Sequence, residues 1–337
     1  MREKILLITM GDPNGVGPEI CLQLLSRKLA LAPGIIPVII GDPEVLRQAQ
    51  ELLHTKKTVV EISALKNARA VWPKGIPVFT AGVEFIGNVQ PGKIDKVAGA
   101  ASIGWVYRAV QLVQAGEAAG IVTAPICKES VELTVPGFQG HTEYIGEMCG
   151  DPHPVLALVH GDWVCAHVST HVSLREAVER VQRKRIEKVG TLLHEFLQKY
   201  RGIKKPRIGV AGLNPHAGEG GLFGREEIEE IIPAIKVLQK KGVAAEGPLP
   251  GDVVFPQLRA GRFDGVIAMY HDQGHVVTKS LFFNLGEKRK LGGVNTTLGL
   301  PVLRTSVDHG TGFDIAWQGK ANEQSLRDAL ELAAKLA

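Results

Sequence analysis

Short apolar runs alternate with longer stretches of helical spacing along the chain. Ile5 to Thr9, Val38 to Ile40, Ile121 to Thr123, Val155 to Val159, Arg207 to Val210 and Gly265 to Ala268 read as strands. They are continuously apolar rather than alternating, which predicts a sheet covered on both faces. Between them, Pro18 to Leu29, Pro43 to Leu53 and Lys184 to Tyr200 read as helices, and Val97, Ala101, Trp105, Arg108 and Leu112 follow one helical face. Asn322 is placed to N-cap the last helix. Alternation of the two element types predicts βαβ units and a largely parallel sheet, hence an α/β fold. Polar residues gather in the connections just after strands, where ligands bind in open α/β sheets.

Composition narrows the class without naming a function. The 337 residues suit about two domains of roughly 100–200 residues each. With 45% hydrophobic and 22% charged residues, the chain is not of disordered type. The net charge of +4 is thinly spread, and Arg183-Lys184-Arg185 and Lys288-Arg289-Lys290 are too short to argue for nucleic acid. Cys21, Cys127, Cys149 and Cys165 are scattered with no Cys-x-x-Cys, which excludes a zinc knuckle or redox pair and points to reduced thiols. The opening MREKILLITMGDP lacks a secretory core and cleavage site, and no run approaches 18 apolar residues. A cytoplasmic protein with no membrane partner is expected.

Several loops could carry chemistry. GDPNGVGPE, Gly11 to Glu19, follows the first strand but is neither a dinucleotide fingerprint nor a Walker loop. It is a strand-to-helix turn or a loop whose amides approach a ligand. His171, His216 and His271 each enter a polar loop from an apolar run, and three imidazoles would suit a divalent ion with open positions. His167 and His275 are rival ligands on spacing alone. GHTEY, Gly140 to Tyr144, opens a helix, and His141 and Thr142 there form either an anion site or a plain cap by Thr142. Lys279, Asn295 and Arg304 could converge on a phosphate, or lie on a solvated face. RTSVDHGTGFDIA, Arg304 to Ala316, is dense in small polar groups of the kind that contact a nucleotide, or form a turn.

In order along the chain, ITMGDPNGVGPE, TAPICKES, GHTEYIGE, GLNPHAGEGG, PGDVVF, YHDQG, GVNTTLGLP and RTSVDHGT resemble one family, the 4-hydroxythreonine-4-phosphate dehydrogenases of pyridoxal phosphate biosynthesis. The resemblance implies two α/β/α domains like those of isocitrate and isopropylmalate dehydrogenases, with approximate bounds 1–125 plus 305–337 and 126–304. It implies a homodimer with a shared active site, NAD or NADP held without a Rossmann fingerprint, and one divalent ion per site. Zinc is the first choice of metal, with magnesium, cobalt, nickel or manganese behind it. The metal ligands fall on His171, His216 and His271, and the substrate residues on His141, Thr142, Lys279, Asn295 and Arg304. Gly11, Asp12, His309, Gly310 and Thr311 fall at the cofactor, while Lys279, Asp272 and Asp252 are the candidates for proton transfer.

The implied reaction is oxidation of 4-hydroxythreonine 4-phosphate, a phosphorylated small hydroxy acid, at C3, then decarboxylation to 3-amino-2-oxopropyl phosphate. Two departures resemble a paralogous branch that oxidises D-threonate or D-erythronate 4-phosphate to dihydroxyacetone phosphate. One is His275, where the biosynthetic enzymes carry an apolar residue, and which lines the substrate cavity or lies on the surface. The other is the long segment FFNLGEKRKLGG between Lys279 and Asn295. A metal-dependent phosphatase or hydrolase using the same histidines is the competing class, and it would need no nicotinamide.

Overall fold

The computed structural model describes residues 3–151, 153–282 and 293–337. Most of FFNLGEKRKLGG and the Lys288-Arg289-Lys290 patch therefore lie outside the described residues. The chain forms two compact units, Met1–His153 with Leu300–Ala337, and Pro154–Gly299. The first is discontinuous, and its two stretches meet the second at 153/154 and 299/300. Residues 126–153 and 300–304 pack with the first unit, for reasons visible in its helices and strands.

That first unit holds β1 (Lys4–Thr9), β2 (Ile35–Ile40), β3 (Val59–Glu61), β4 (Ile76–Phe79), β5 (Gly120–Thr123) and, numbered along the whole chain, β12 (Arg304–Ser306). Their order is β3-β4-β2-β1-β5-β12, every pair parallel. The helices are α1 (Gly17–Ser26), α2 (Pro43–Leu53), α3 (Ala68–Val71), α4 (Lys96–Gln114), α5 (Lys128–Glu132), α6 (His141–Met148) and α12 (Gln324–Leu336). Leu6, Leu7, Ile8, Val38, Ile39, Ile121 and Val122 are wholly buried, so the unbroken apolar runs reflect burial on both faces. A Cβ on Gly99 of α4 would lie 2.1 Å from the Ser130 carbonyl oxygen, so α5 rests directly on α4. Strand β12 joins β5 through Arg304 opposite Ile121, which brings residue 304 into this unit.

Helix α1 stops at Ser26 rather than Leu29, because Arg27 turns extended (ψ 164°) and its guanidinium pairs with buried Glu323. At the start of α12 the boundary residue is Glu323. Asn322 Oδ1 nonetheless accepts from the Gln324 N–H at 2.8 Å, so the expected capping residue acts one position upstream.

The second unit holds β6 (Val155–His160), β7 (Trp163–His167), β8 (Arg207–Ala211), β9 (Ala244–Leu249), β10 (Gly265–Ala268) and β11 (Val294–Leu298). Their order is β11-β6-β7-β10-β8-β9. Here β11/β6 and β6/β7 are antiparallel and the remaining pairs parallel, in keeping with the largely parallel sheet expected. Helices α7 (Leu174–Glu179), α8 (Arg183–Arg201), α9 (Ile232–Lys240), α10 (Gly251–Arg259) and α11 (His271–Phe282) complete it. Among the described residues, no helix is long and apolar enough to cross a membrane.

Candidate active site

In the first unit an arginine is enclosed at the ends of two strands. Arg304 opens β12 and is 3% exposed. Its Nη2 and Nε donate to Thr123 Oγ1 at 2.9 and 3.3 Å, from the last residue of β5, and its Nη1 donates to Thr142 Oγ1 at 3.0 Å. Burial draws the guanidinium down to about 10, with the Glu143 carboxylate opposing, so it stays charged at neutral pH. The two hydroxyls orient the guanidinium, and a buried cation favours an anionic ligand. His141, the first residue of α6, has a buried Nε2 with no hydrogen-bond partner among the described residues. Burial, and then the charges of Arg304 and Lys128, hold this imidazole well below the ordinary histidine range. A neutral imidazole therefore stands beside a charged guanidinium. The plain capping role for Thr142 is not what the helix shows: Gly140 holds the cap position, and the Thr142 hydroxyl serves Arg304.

Also in this unit, the loop after β1 meets the segment after β12. Gly11 has φ 80°, and a Cβ there would fall 2.4 Å from the Pro125 carbonyl oxygen, so glycine is required. Asp12 is fully buried, its Oδ1 accepts from the Asn14 N–H at 2.8 Å, and burial raises its carboxyl to about 6. The Val16 N–H donates to the Thr311 carbonyl at 2.9 Å, and a Cβ on Gly15 would be 2.9 Å from that same oxygen. The loop that begins with Gly11 and Asp12 thus meets Thr311 through Gly15 and Val16. His309 and Gly310, by contrast, are exposed to solvent. Glu19, which the sequence reading did not single out, is wholly buried and accepts from the N–H groups of Trp317 and Gly319 at 2.6 and 2.7 Å, tying the two segments.

In the second unit the imidazoles form a row. The ring of His271, at the start of α11, lies 5.5 Å from that of His171. On its other side it stacks on His275 at 3.8 Å and 7°, and His275 in turn lies 4.7 Å from His167 of β7. Asp272 Oδ1 is 2.6 Å from His271 Nδ1. Accepting that N–H leaves Nε2 of His271 with its lone pair. Two imidazoles sharing one tetrahedral ion at metal–nitrogen distances near 2.0–2.1 Å would hold their ring centres about 5 Å apart. His171 and His271 fit that spacing. His275 does not act as their rival, because parallel stacked rings cannot aim at one ion. His167 is 0% exposed and His275 5% exposed. Burial is the main cause that lowers them to about 4 and about 2, so both are neutral. Of the alternatives for His275, burial sets aside the surface, and the ring packs against His271.

His216 is not gathered with the other two, and among the described residues no three His, Cys, Asp or Glu side chains cluster as for a metal. Its side chain is 69% exposed, with Nδ1 3.3 Å from Glu219 Oε2. It opens five consecutive left-handed residues, His216 to Gly220, with φ between 42° and 81°. Such a run is costly for non-glycine residues and must be held by its surroundings. Glu227 holds it. This carboxylate, 2% exposed, belongs to a π-turn over Glu227–Ile231. Its Oε1 accepts from the N–H groups of Leu213 and Asn214, each at 2.8 Å, and its Oε2 accepts from Asn214 Nδ2 at 2.9 Å. A Cβ on Gly218 would stand 2.7 Å from Oε2.

The remaining expected residues are spread through this unit. Lys279 lies two turns beyond His271 on α11, and Asn295 lies on β11 opposite Leu158. Asp252 is exposed in the first turn of α10. Gln273, which the sequence reading passed over, ties the start of α11 in place: its Oε1 accepts from the Met269 N–H and its Nε2 donates to the Gly212 carbonyl, both at 2.7 Å.

Residues 35–333 match the family model described as pyridoxal phosphate biosynthetic protein PdxA. The chain is 43% identical to a putative D-threonate 4-phosphate dehydrogenase of Bradyrhizobium diazoefficiens, covering 100% of this chain and 98% of that protein. It is 41% identical to the D-threonate 4-phosphate dehydrogenase of Salmonella typhimurium, covering 100% of each. Its fold is similar to a solved 4-hydroxythreonine-4-phosphate dehydrogenase of Klebsiella pneumoniae, with TM-score 0.86, 37% identity and 98% of each chain covered.

Proposed function

Since the chain belongs to the family of the pyridoxal phosphate biosynthetic protein PdxA, we propose that it oxidises C3 of a four-carbon hydroxy acid bearing a 4-phosphate, with loss of the carboxyl group as carbon dioxide. It is a dehydrogenase, and its hydride acceptor is a nicotinamide, NAD or NADP. The observation that carries the reading is the His171–His271 pair, 5.5 Å apart with Asp272 behind His271.

D-threonate 4-phosphate, or its D-erythronate isomer, is the substrate we favour, giving dihydroxyacetone phosphate. The names of the sequence relatives support it. The second reading is 4-hydroxythreonine 4-phosphate, giving 3-amino-2-oxopropyl phosphate, and the names of solved relatives favour it. In either, Arg304 binds phosphate with its donor fork, Thr123 and Thr142 hold the fork in plane, and neutral His141 offers Nε2. Lys279 and Asn295 add donors to the substrate. His171 and His271, with His216 from a second copy of the chain in a homodimer, hold the divalent ion, zinc first. When bound, that ion supplies Lewis acidity that lowers the pKa of the substrate hydroxyl. Asp272 is engaged with His271, so Lys279 is the better candidate to move protons at the substrate, and exposed Asp252 the weaker one. Gly11, Asp12 and Thr311 shape the loop proposed for the cofactor, with His309 and Gly310 at its exposed rim. Residence in the cytoplasm, with no nucleic-acid or membrane partner, belongs to the same proposal.

The test is nicotinamide reduction on mixing protein, divalent ion and each of the three phosphorylated acids, with both NAD and NADP. The hydroxy acids should reduce the nicotinamide faster than the amino acid. Phosphate release without nicotinamide reduction would transfer the chain to the hydrolase class.

A further inference from the structure

The row of imidazoles has more members than a metal site uses. Two of its four rings, His167 and His275, are buried and neutral, yet a leucine would fill such space without a polar atom to satisfy. Both polar needs are met locally. His275 Nδ1 donates to the His271 carbonyl at 3.1 Å, and His167 Nδ1 faces the Leu156 carbonyl at 3.3 Å. The packing that permits this depends on Gly274, where a Cβ would fall 2.3 Å from His167 Nε2 and 2.8 Å from Cys165 Sγ. Absence of that carbon lets α11 approach β7 closely enough for His275 to pack against both His167 and His271. The stacked pair, 3.8 Å apart and 7° from parallel, also bars rotation of the His271 ring on that side.

We infer that His275 is a positioning residue: backed by His167, it fixes the ring plane of His271 and thereby the affinity of the His171–His271 pair for a divalent ion. The inference rests on the proposed role of His271 as a ligand. Asp272 and His275 then divide the task. The carboxylate selects which ring nitrogen carries the proton, and the stack selects where the other nitrogen points.

The experiment uses the full chain, stripped of metal, with Co²⁺ as probe. Loss of an outer partner of a ligating histidine typically weakens metal binding about 10- to 100-fold, and His275→Ala should do so. His275→Phe keeps a stacking ring and should bind Co²⁺ within about threefold of wild type, whereas His171→Ala should lose binding on the scale of a removed ligand. Nitrogen-15 imidazole spectra of the metal-free protein give the second readout. His271 should show one tautomer and one environment in wild type and His275→Phe, and more than one in His275→Ala. Wild-type Co²⁺ affinity together with unchanged His271 signals in His275→Ala would overturn the inference. Should wild type not bind Co²⁺ through His271, the metal reading falls, and the metal-free spectra alone then decide whether the stack positions the ring. If His275→Ala does not fold, His275→Gln replaces it. Weak binding by Gln beside strong binding by Phe supports stacking, and the reverse order overturns it.

Discussion

The candidate residues of the first unit include enclosed charges, whereas those of the second are neutral imidazoles or an exposed one, its buried carboxylate Glu227 serving only as a brace. Arg304 and Asp12 are 3% and 0% exposed, and each is held by short polar contacts at the ends of strands. In the second unit the buried members of the imidazole row, His167 and His275, are neutral, while His216 stands exposed on a left-handed turn. An enclosed charge gains ligand affinity from low dielectric but burdens the fold with desolvation. An exposed imidazole on a strained turn carries little desolvation cost, and the turn itself must be braced. The two units thus place their cost differently, one in solvation and the other in backbone conformation.

The largest effect expected from this contrast is at Arg304. Arg304→Met removes several charge-assisted hydrogen bonds worth about 1.5–3 kcal/mol each, so kcat/KM should fall on the order of 100- to 1,000-fold. Urea unfolding of the variant separates lost binding from lost stability, since the hydroxyls of Thr123 and Thr142 lose their donor as the charge is removed. A large loss of stability with unchanged kinetics would break the contrast. Asp12 comes next. Its carboxyl ionises near 3.8 when unfolded and at about 6 when folded, so native wild type holds the proton longer and loses stability as pH rises between those values. Asp12→Asn has no such titration. Measured by urea unfolding from pH 4 to pH 7, its stability relative to wild type should climb by up to about 3 kcal/mol, with most of the gain below pH 6.

On the other side of the comparison, Glu227→Gln places an amide where Oε1 and Oε2 now accept three N–H bonds, leaving a donor facing a donor. A loss of about 1–3 kcal/mol in thermal unfolding is expected, with lower bound metal because His216 is released from its turn. Equal stability and metal content would show that the turn needs no brace. The smallest effect is for Gly218→Ala, where a left-handed residue gains a Cβ at about 1–2 kcal/mol, with added crowding against Glu227. Calorimetry of that variant sharpens how much of the brace is steric.

The strands and long helices were legible because their apolar residues are consecutive or helically spaced, and burial enforces both patterns. The hairpin between β6 and β7 was marked by Gly161-Asp162 flanked by apolar runs, a turn signal the reading passed over. The grouping of residues 126–153 with the first unit could not be read, because it depends on Gly99 admitting the backbone of Ser130. At the site, Arg304, His141, Thr142, His171 and His271 all stand out as residues in polar loops. Thr123 did not, since its hydroxyl ends an apolar strand and shows its purpose only opposite Arg304. Nor did Glu227, hidden in the acidic run Glu226–Glu230, where burial marks it out from its more exposed neighbours. Spacing alone made His167 and His275 rivals to His171 and His271; only ring geometry separates the His171–His271 pair from the two buried rings packed behind it.

The discontinuity of the first unit sets an order of events on the ribosome. Pro154–Gly299 is one continuous stretch and can close as soon as it clears the exit tunnel. The earlier stretch has by then formed β1 to β5 but lacks β12 and α12, so a strand edge and an apolar face wait for the segment Leu300–Ala337. Arg304 arrives with that last segment. A nascent chain halted before it would therefore carry its imidazole row and still lack the guanidinium proposed to bind phosphate.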